Sequence, residues 1–119
     1  MFAQRADQKG IVKNHFVSTH KLDFEIAPWG VGGFDKFRVG TCCGAFRAKD
    51  KEYQILAFEN TKKNNGHFGD VLEWFEFACR RDGYSLRIHE CWNQGLKWHL
   101  MTKKGFLPDG KDDVIKHFK

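Results

Sequence analysis

Between Glu52 and Phe106 the spacing of apolar residues changes period twice, and this constrains the fold more than any other property of the 119-residue chain. Tyr53 to Phe58 (YQILAF) is a short, nearly continuous apolar run, as a strand covered on both faces reads. Beyond a loop bearing Gly66 and Gly69, Val71, Leu72, Phe75, Ala78 and Cys79 recur at helical spacing, widened by Trp74 and Phe77. Leu86 and Ile88 then return to a strand period, with Trp92 as a candidate continuation. Strand, helix, strand over this length predicts a right-handed crossover joining two parallel strands. The helix ends are marked. Asp70 suits an N-cap, with Glu73 three residues on as an approximate capping box. Arg80 and Arg81 fall in the last turn, and Gly83 suits the C-terminal stop.

Around this unit the signals are shorter. Ile11, Val12, His15 and Phe16 have the spacing of a small amphipathic helix. Leu22, Phe24 and Ile26 alternate with Asp23 and Glu25 as in a half-buried strand, and Pro28 to Gly33 (PWGVGG) breaks it. Phe37 to Phe46 reads as a strand that a turn at Lys49-Asp50-Lys51 pairs antiparallel with Tyr53–Phe58. A second helix spans Gln94 to Lys104, with Leu96, Leu100 and Met101 inward and Gly105 ending it. Phe106-Leu107, a Pro-Asp-Gly turn and Val114 to Phe118 form a closing hairpin. With no repeat and no change of composition, residues 1–119 read as one domain. The expected class is α/β: a mixed, mostly antiparallel sheet with a central parallel pair and helices on both faces.

Twelve Phe and four Trp supply a core without disulfides. Cys42, Cys43, Cys79 and Cys91 contain no C-x-x-C, and mostly buried, reduced thiols in a cytoplasmic protein are expected. No secretory signal or bilayer-length apolar run is read in the chain. The net charge of +5 is spread, +2 over residues 1–59 and +3 over residues 60–119. That disfavours nucleic acid as a partner and leaves room for a local anion site. The Trp residues read as core rather than as a base-stacking platform. His89-x-Cys91 with Cys42, Cys43 and His99 lacks the spacing of a zinc site.

The loop Lys62-Lys63-Asn64-Asn65-Gly66-His67-Phe68-Gly69 precedes the helix directly. A helix start offers unpaired N–H donors and about half a positive charge. Two lysines add charge, and the glycines let backbone approach oxygen atoms closely. A phosphate is the natural occupant. The spacing is not G-x-x-x-x-G-K-[ST], which disfavours a nucleoside triphosphate.

Strand, loop, helix, a strand ending in Asn93 and a helix ending in Gly105-Phe106 resemble the core of the GNAT acyltransferase superfamily, over residues 52–106. That family carries a Q/R-x-x-G-x-G/A loop around the pyrophosphate of acetyl-CoA. The similar positions here run from Lys63 to Phe68, with Lys63 in place of Gln or Arg. Phe68 stands where a small residue is usual, unless Gly69 serves one place later. Asn93 to Gly105-Phe106 resembles the family's N…A…Y…GF signature, with Leu100 or Met101 at the place of the Tyr that often protonates the leaving thiolate and His99 beside it as the catalytic candidate there. The resemblance implies acetyl-CoA as cosubstrate and an amine acceptor, protein or small molecule. It implies an oxyanion donor on the backbone near Ala57 or Phe58, and a base at Glu52 with Glu59 as alternate. The missing Tyr leaves a second expectation, a catalytically inactive GNAT-like module that binds a partner protein or nucleic acid. Compact, basic, aromatic-rich chains of this kind also resemble virus-encoded products.

Overall fold

The structure is a computed structural model that describes residues 16–62, 65–91 and 94–118. The small helix expected at residues 11–16 lies outside these except for Phe16. Seven strands form one sheet: β1 (Glu25–Val31), β2 (Phe34–Val39), β3 (Cys42–Lys49), β4 (Glu52–Asn60), β5 (Ser85–Ile88), β6 (Leu107–Asp109) and β7 (Asp113–Lys116). Helix α1 (His67–Asp82) joins β4 to β5, and α2 (Gln94–Lys103) follows β5. The spatial order is β1-β2-β3-β4-β5-β7-β6. Among the hydrogen-bonded neighbours in the described residues only β4 and β5 pair parallel, so a mixed sheet with an internal parallel pair forms as expected.

Two strand assignments change. The run Phe37–Phe46 is two strands, turned at Gly40-Thr41 where Gly40 has φ 60°. Strand β1 starts later than the alternation suggests and continues through Pro28. Pro28 is tolerated because β1 is an edge strand, and the ladder with β2 is irregular between Pro28 and Val31. Gly32 and Gly33, at φ 59° and 80°, make the tight β1–β2 turn. Asp50 and Lys51, at φ 55° and 59°, make the expected β3–β4 turn.

One buried cluster lies between the sheet and α1. Phe24, Phe37, Phe46 and Phe75 meet edge-to-face or stacked with centroids 5.3–5.9 Å apart. Leu100 of α2 and Phe106 join the same cluster with Ile88 and Val114. Strand β6 is parallel to β5, each being antiparallel to β7. Two right-handed crossovers advancing the same way therefore set both helices on one face. Among the described residues no helix covers the other face, a difference from the expected architecture. Met101, expected inward, is 37% exposed.

Candidate functional site at the fork of β4 and β5

Strands β4 and β5 pair from Glu52–Ser85 to Ile55–Ile88, and the last bond is His89 N–H to the Ile55 carbonyl at 2.8 Å. Strand β5 ends there, while β4 continues from Leu56 to Asn60. The β3–β4 register jumps from Ala45↔Ala57 to Phe46↔Ile55, which leaves Leu56 as an extra, bulged residue on β4. A bulge bends its strand, so β4 turns away from β5 where their pairing stops. Among the described residues no strand pairs with this edge of β4 beyond Ile55. Ala57 and Phe58 lie on this stretch, with Phe58 stacked on Phe68 of α1 at 4.7 Å and 9°.

Beyond β4 the chain enters the loop before α1. Lys63, Asn64 and Asn93 lie outside the described residues. Lys62 is exposed, and its N–H donates to Asn60 Oδ1 at 3.1 Å. Asn65 is tied into the fold: its Nδ2 donates to Thr41 Oγ1 at 2.7 Å, and its Oδ1 accepts from His67 N–H at 3.1 Å. His67 Nδ1 accepts from Thr41 N–H at 3.0 Å. The start of α1 is therefore tied to the β2–β3 turn, with one of its first-turn donors used internally. Phe68 and Gly69 also belong to that turn, whose N–H groups have no intrahelical acceptor.

Asp70 is not the N-cap. Gly66, at φ 82°, holds that position, and Asp70 lies in the first turn with its side chain fully buried. Its carboxylate accepts from Ser18 Oγ, from His20 N–H at 3.0 Å, and pairs with His20 Nδ1 at 2.6 Å. Glu73, rather than closing a capping box, accepts from Thr19 N–H at 2.7 Å and Thr19 Oγ1 at 2.6 Å. Residues 18–20 thus form a strap across α1. The His20 ring lies over Gly66, where a Cβ would come within 2.6 Å of Cε1. Burial pushes the Asp70 carboxyl up, but the bonds from His20 and Ser18 outweigh it and hold it below the usual carboxylate range.

On the sheet face away from the helices, a polar network begins at the fork. Arg87 of β5 donates to Glu52 at 2.9 and 3.1 Å and pairs with Asp109 at 2.6 Å and Asp113 at 3.1 Å. Gln54 Nε2 donates to Glu52 at 2.8 Å, and Gln54 Oε1 accepts from Arg47 Nε at 2.8 Å. His89 sits between Asp113, 3.1 Å from Nδ1, and Gln54 Oε1, 3.3 Å from Nε2. Burial raises the Glu52 carboxyl, yet the bonds from Arg87 and Gln54 bring it below the ordinary value. A carboxylate so held is a weak base. The same face carries a concavity of about 560 Å³, walled by Trp29, Lys36, Arg38, Cys43, Ala45 and Ala57.

The three residues chosen from sequence as catalytic are not brought together. Glu52 and Glu59 stand at opposite ends of β4, roughly 23 Å apart at the rise of a strand. Glu59 is exposed opposite Cys43, and His99 is exposed on α2 beside Trp98. The residues missed are His20, which lay in a stretch with no periodic signal, and His89, whose i, i+2 spacing to Cys91 drew attention to metals instead. Among the described residues no cluster of His, Cys, Asp or Glu suited to a metal occurs, and no helix is long and apolar enough to cross a membrane. Cys42, Cys79 and Cys91 are buried and Cys43 is exposed, all as free thiols. Burial pushes the Cys42 thiol up to about 11 and the Cys79 thiol up to about 12. Comparison with protein-family models finds none that matches the chain, and comparison with the curated proteins finds no match.

Proposed function

We propose that the chain is a GNAT-like N-acyltransferase that moves an acetyl group from acetyl-CoA to an amine. The observation that supports this most is the fork. A parallel pair separates at a bulge, and the freed edge of β4 leads straight to the start of α1. An extended pantetheine arm carries amide groups that can pair with such an edge as an added strand does. Its diphosphate then reaches the first turn of α1, near Lys62. The thioester carbonyl lies against the backbone of Ala57 and Phe58, where a fixed N–H stabilises the developing oxyanion. Glu52 serves this reaction as an anchor for Arg87 rather than as the base.

Calorimetry with acetyl-CoA and with CoA tests the reading. Binding of both is expected, and Lys62→Ala should weaken it by about tenfold at low salt, in line with the loss of one charge-assisted bond. No binding at millimolar ligand ends the case for an acyltransferase and leaves the partner-binding module.

A further inference from the structure

We propose that His89, oriented by Asp113 at the fork of β4 and β5, takes the proton from the acceptor amine, and that the acceptor approaches as an alkylammonium on the helix-free face. The inference rests on the acyltransferase reading and adds the base which that reading lacks.

Position comes first. The His89 N–H closes the last bond of the β4–β5 ladder, so its side chain is fixed at the point where the strands part. Its side chain is 25% exposed, which leaves it accessible to a ligand while its backbone is anchored. The candidate bases read from the sequence are unfavourably placed. Glu52 is engaged by Arg87 and Gln54. Glu59 lies beyond the bulge, and His99 is on α2.

Orientation comes next. Asp113 faces Nδ1 at 3.1 Å and is itself held by Glu90 N–H at 2.9 Å and Arg87 at 3.1 Å. Burial raises the Asp113 carboxyl, but these partners bring it below its ordinary value, so it stays an acceptor. Nε2 faces Gln54 Oε1 at 3.3 Å, a long contact that an incoming amine can displace. Gln54 cannot rotate freely, because Arg47 holds its oxygen and Glu52 its nitrogen. The ring therefore has an acceptor for a proton on either nitrogen. With a carboxylate on Nδ1 and Nε2 released from Gln54 to the incoming ammonium, histidine acts as a general base.

Charge selects the acceptor. Around His89 stand Glu52 from β4, Arg47 from β3, Arg87 from β5 and Asp109 and Asp113 from β6 and β7, with Glu90 beside it. Three carboxylates against two guanidinium groups leave one net negative charge in the network, before Glu90 is counted. That favours a cation over an anion at the site. In the step itself, an ammonium proton passes to Nε2 and the freed lone pair forms the C–N bond to the thioester carbonyl. The C–S bond breaks with its electrons going to sulfur. The second amine proton is lost to solvent as the tetrahedral adduct collapses, and the proton on Nε2 is delivered to the thiolate. Amide and free CoA thiol result.

The test uses the full chain, acetyl-CoA, and butylamine and a lysine-containing peptide as acceptors. Acetyl-CoA binding is measured by calorimetry, and transfer is followed as thiol release and product mass across pH. His89→Gln is expected to bind acetyl-CoA within about twofold of the wild type, to lose about 100-fold or more in transfer, and to lose the wild type's pH inflection. Asp113→Asn should bind normally and move that inflection. In His89→Ala, added imidazole should restore part of the rate, which distinguishes a lost base from a damaged fold. Transfer by His89→Gln at the wild-type rate with an unchanged profile overturns the inference while leaving the acyltransferase reading intact. Binding without transfer to either amine in the wild type overturns the inference and leaves a CoA-binding module. Absence of acetyl-CoA binding overturns both.

Discussion

At the scale of residues, Asp70 is the most deeply buried polar side chain among the described residues. Its buried carboxylate serves a hydroxyl, a backbone N–H and an imidazole, all from residues 18–20. Removing it leaves those groups without their acceptor, so Asp70→Ala is expected to destabilise the protein by about 3 kcal/mol. Chemical denaturation near pH 7 measures this. The folded carboxyl lies below its ordinary value, so its stabilising contribution is present above the unfolded aspartate range. It is lost as pH falls through the lower folded value. The gap between wild type and Asp70→Asn should therefore shrink with acidification, and a gap that stays constant into that range would rule out this role for the carboxylate as hydrogen-bond acceptor. The same residue marks a limit of local spacing. Asp70 and Glu73 have the types of a capping box, but a glycine in the left-handed region already caps α1. Both carboxylates instead serve partners 50–54 residues away, contacts that no helical period records.

At the scale of elements, the bulge in β4 governs the fork, and Gly44 of β3 makes it possible. A Cβ on Gly44 would fall 2.0 Å from the Ala57 carbonyl oxygen and 2.9 Å from the Phe58 Cα. Both obstacles are backbone, so β3 and β4 would have to part beside the bulge. Gly44→Ala is expected to cost about 3 kcal/mol and to weaken acetyl-CoA binding more than it lowers the melting temperature would suggest. An unchanged melting temperature and unchanged binding would show that the two strands are not packed this closely. None of this was legible beforehand, because a bulge arises from pairing between strands and leaves no mark in one strand's alternation. The crossover was legible, since a 16-residue helix with basic residues in its last turn and a terminal glycine is specified within its own sequence. The β3–β4 turn was legible for the same reason. The turn at Gly40-Thr41 was not, because Phe37, Val39, Cys43 and Ala45 keep one phase of alternation across it and a lone glycine is a weak stop.

At the scale of the molecule, one face of the sheet is packed by both helices and the other is polar at the fork and hollow beside it. Composition foretold enough aromatic mass for a core but could not say which face would receive it. The proposed site is assembled from parts that meet only in the folded chain: the β4 edge, the first turn of α1 and the end of β5. A ligand touching all three binds the native state and has nothing comparable to bind in the unfolded one. At a free concentration about 100 times its dissociation constant, acetyl-CoA should then add roughly 2.7 kcal/mol of stability. For a chain of this length that raises the melting temperature by about 10 °C. His89→Gln should show the same rise, because the role proposed for His89 concerns a proton and not the nucleotide. Lys62→Ala should need more ligand to reach it, with the difference fading as salt is added. A thermal scan in increasing acetyl-CoA reads all three. A melting temperature indifferent to the ligand would mean that the fork, the helix start and the strand edge do not act as one site, and the acyltransferase reading would fall with them.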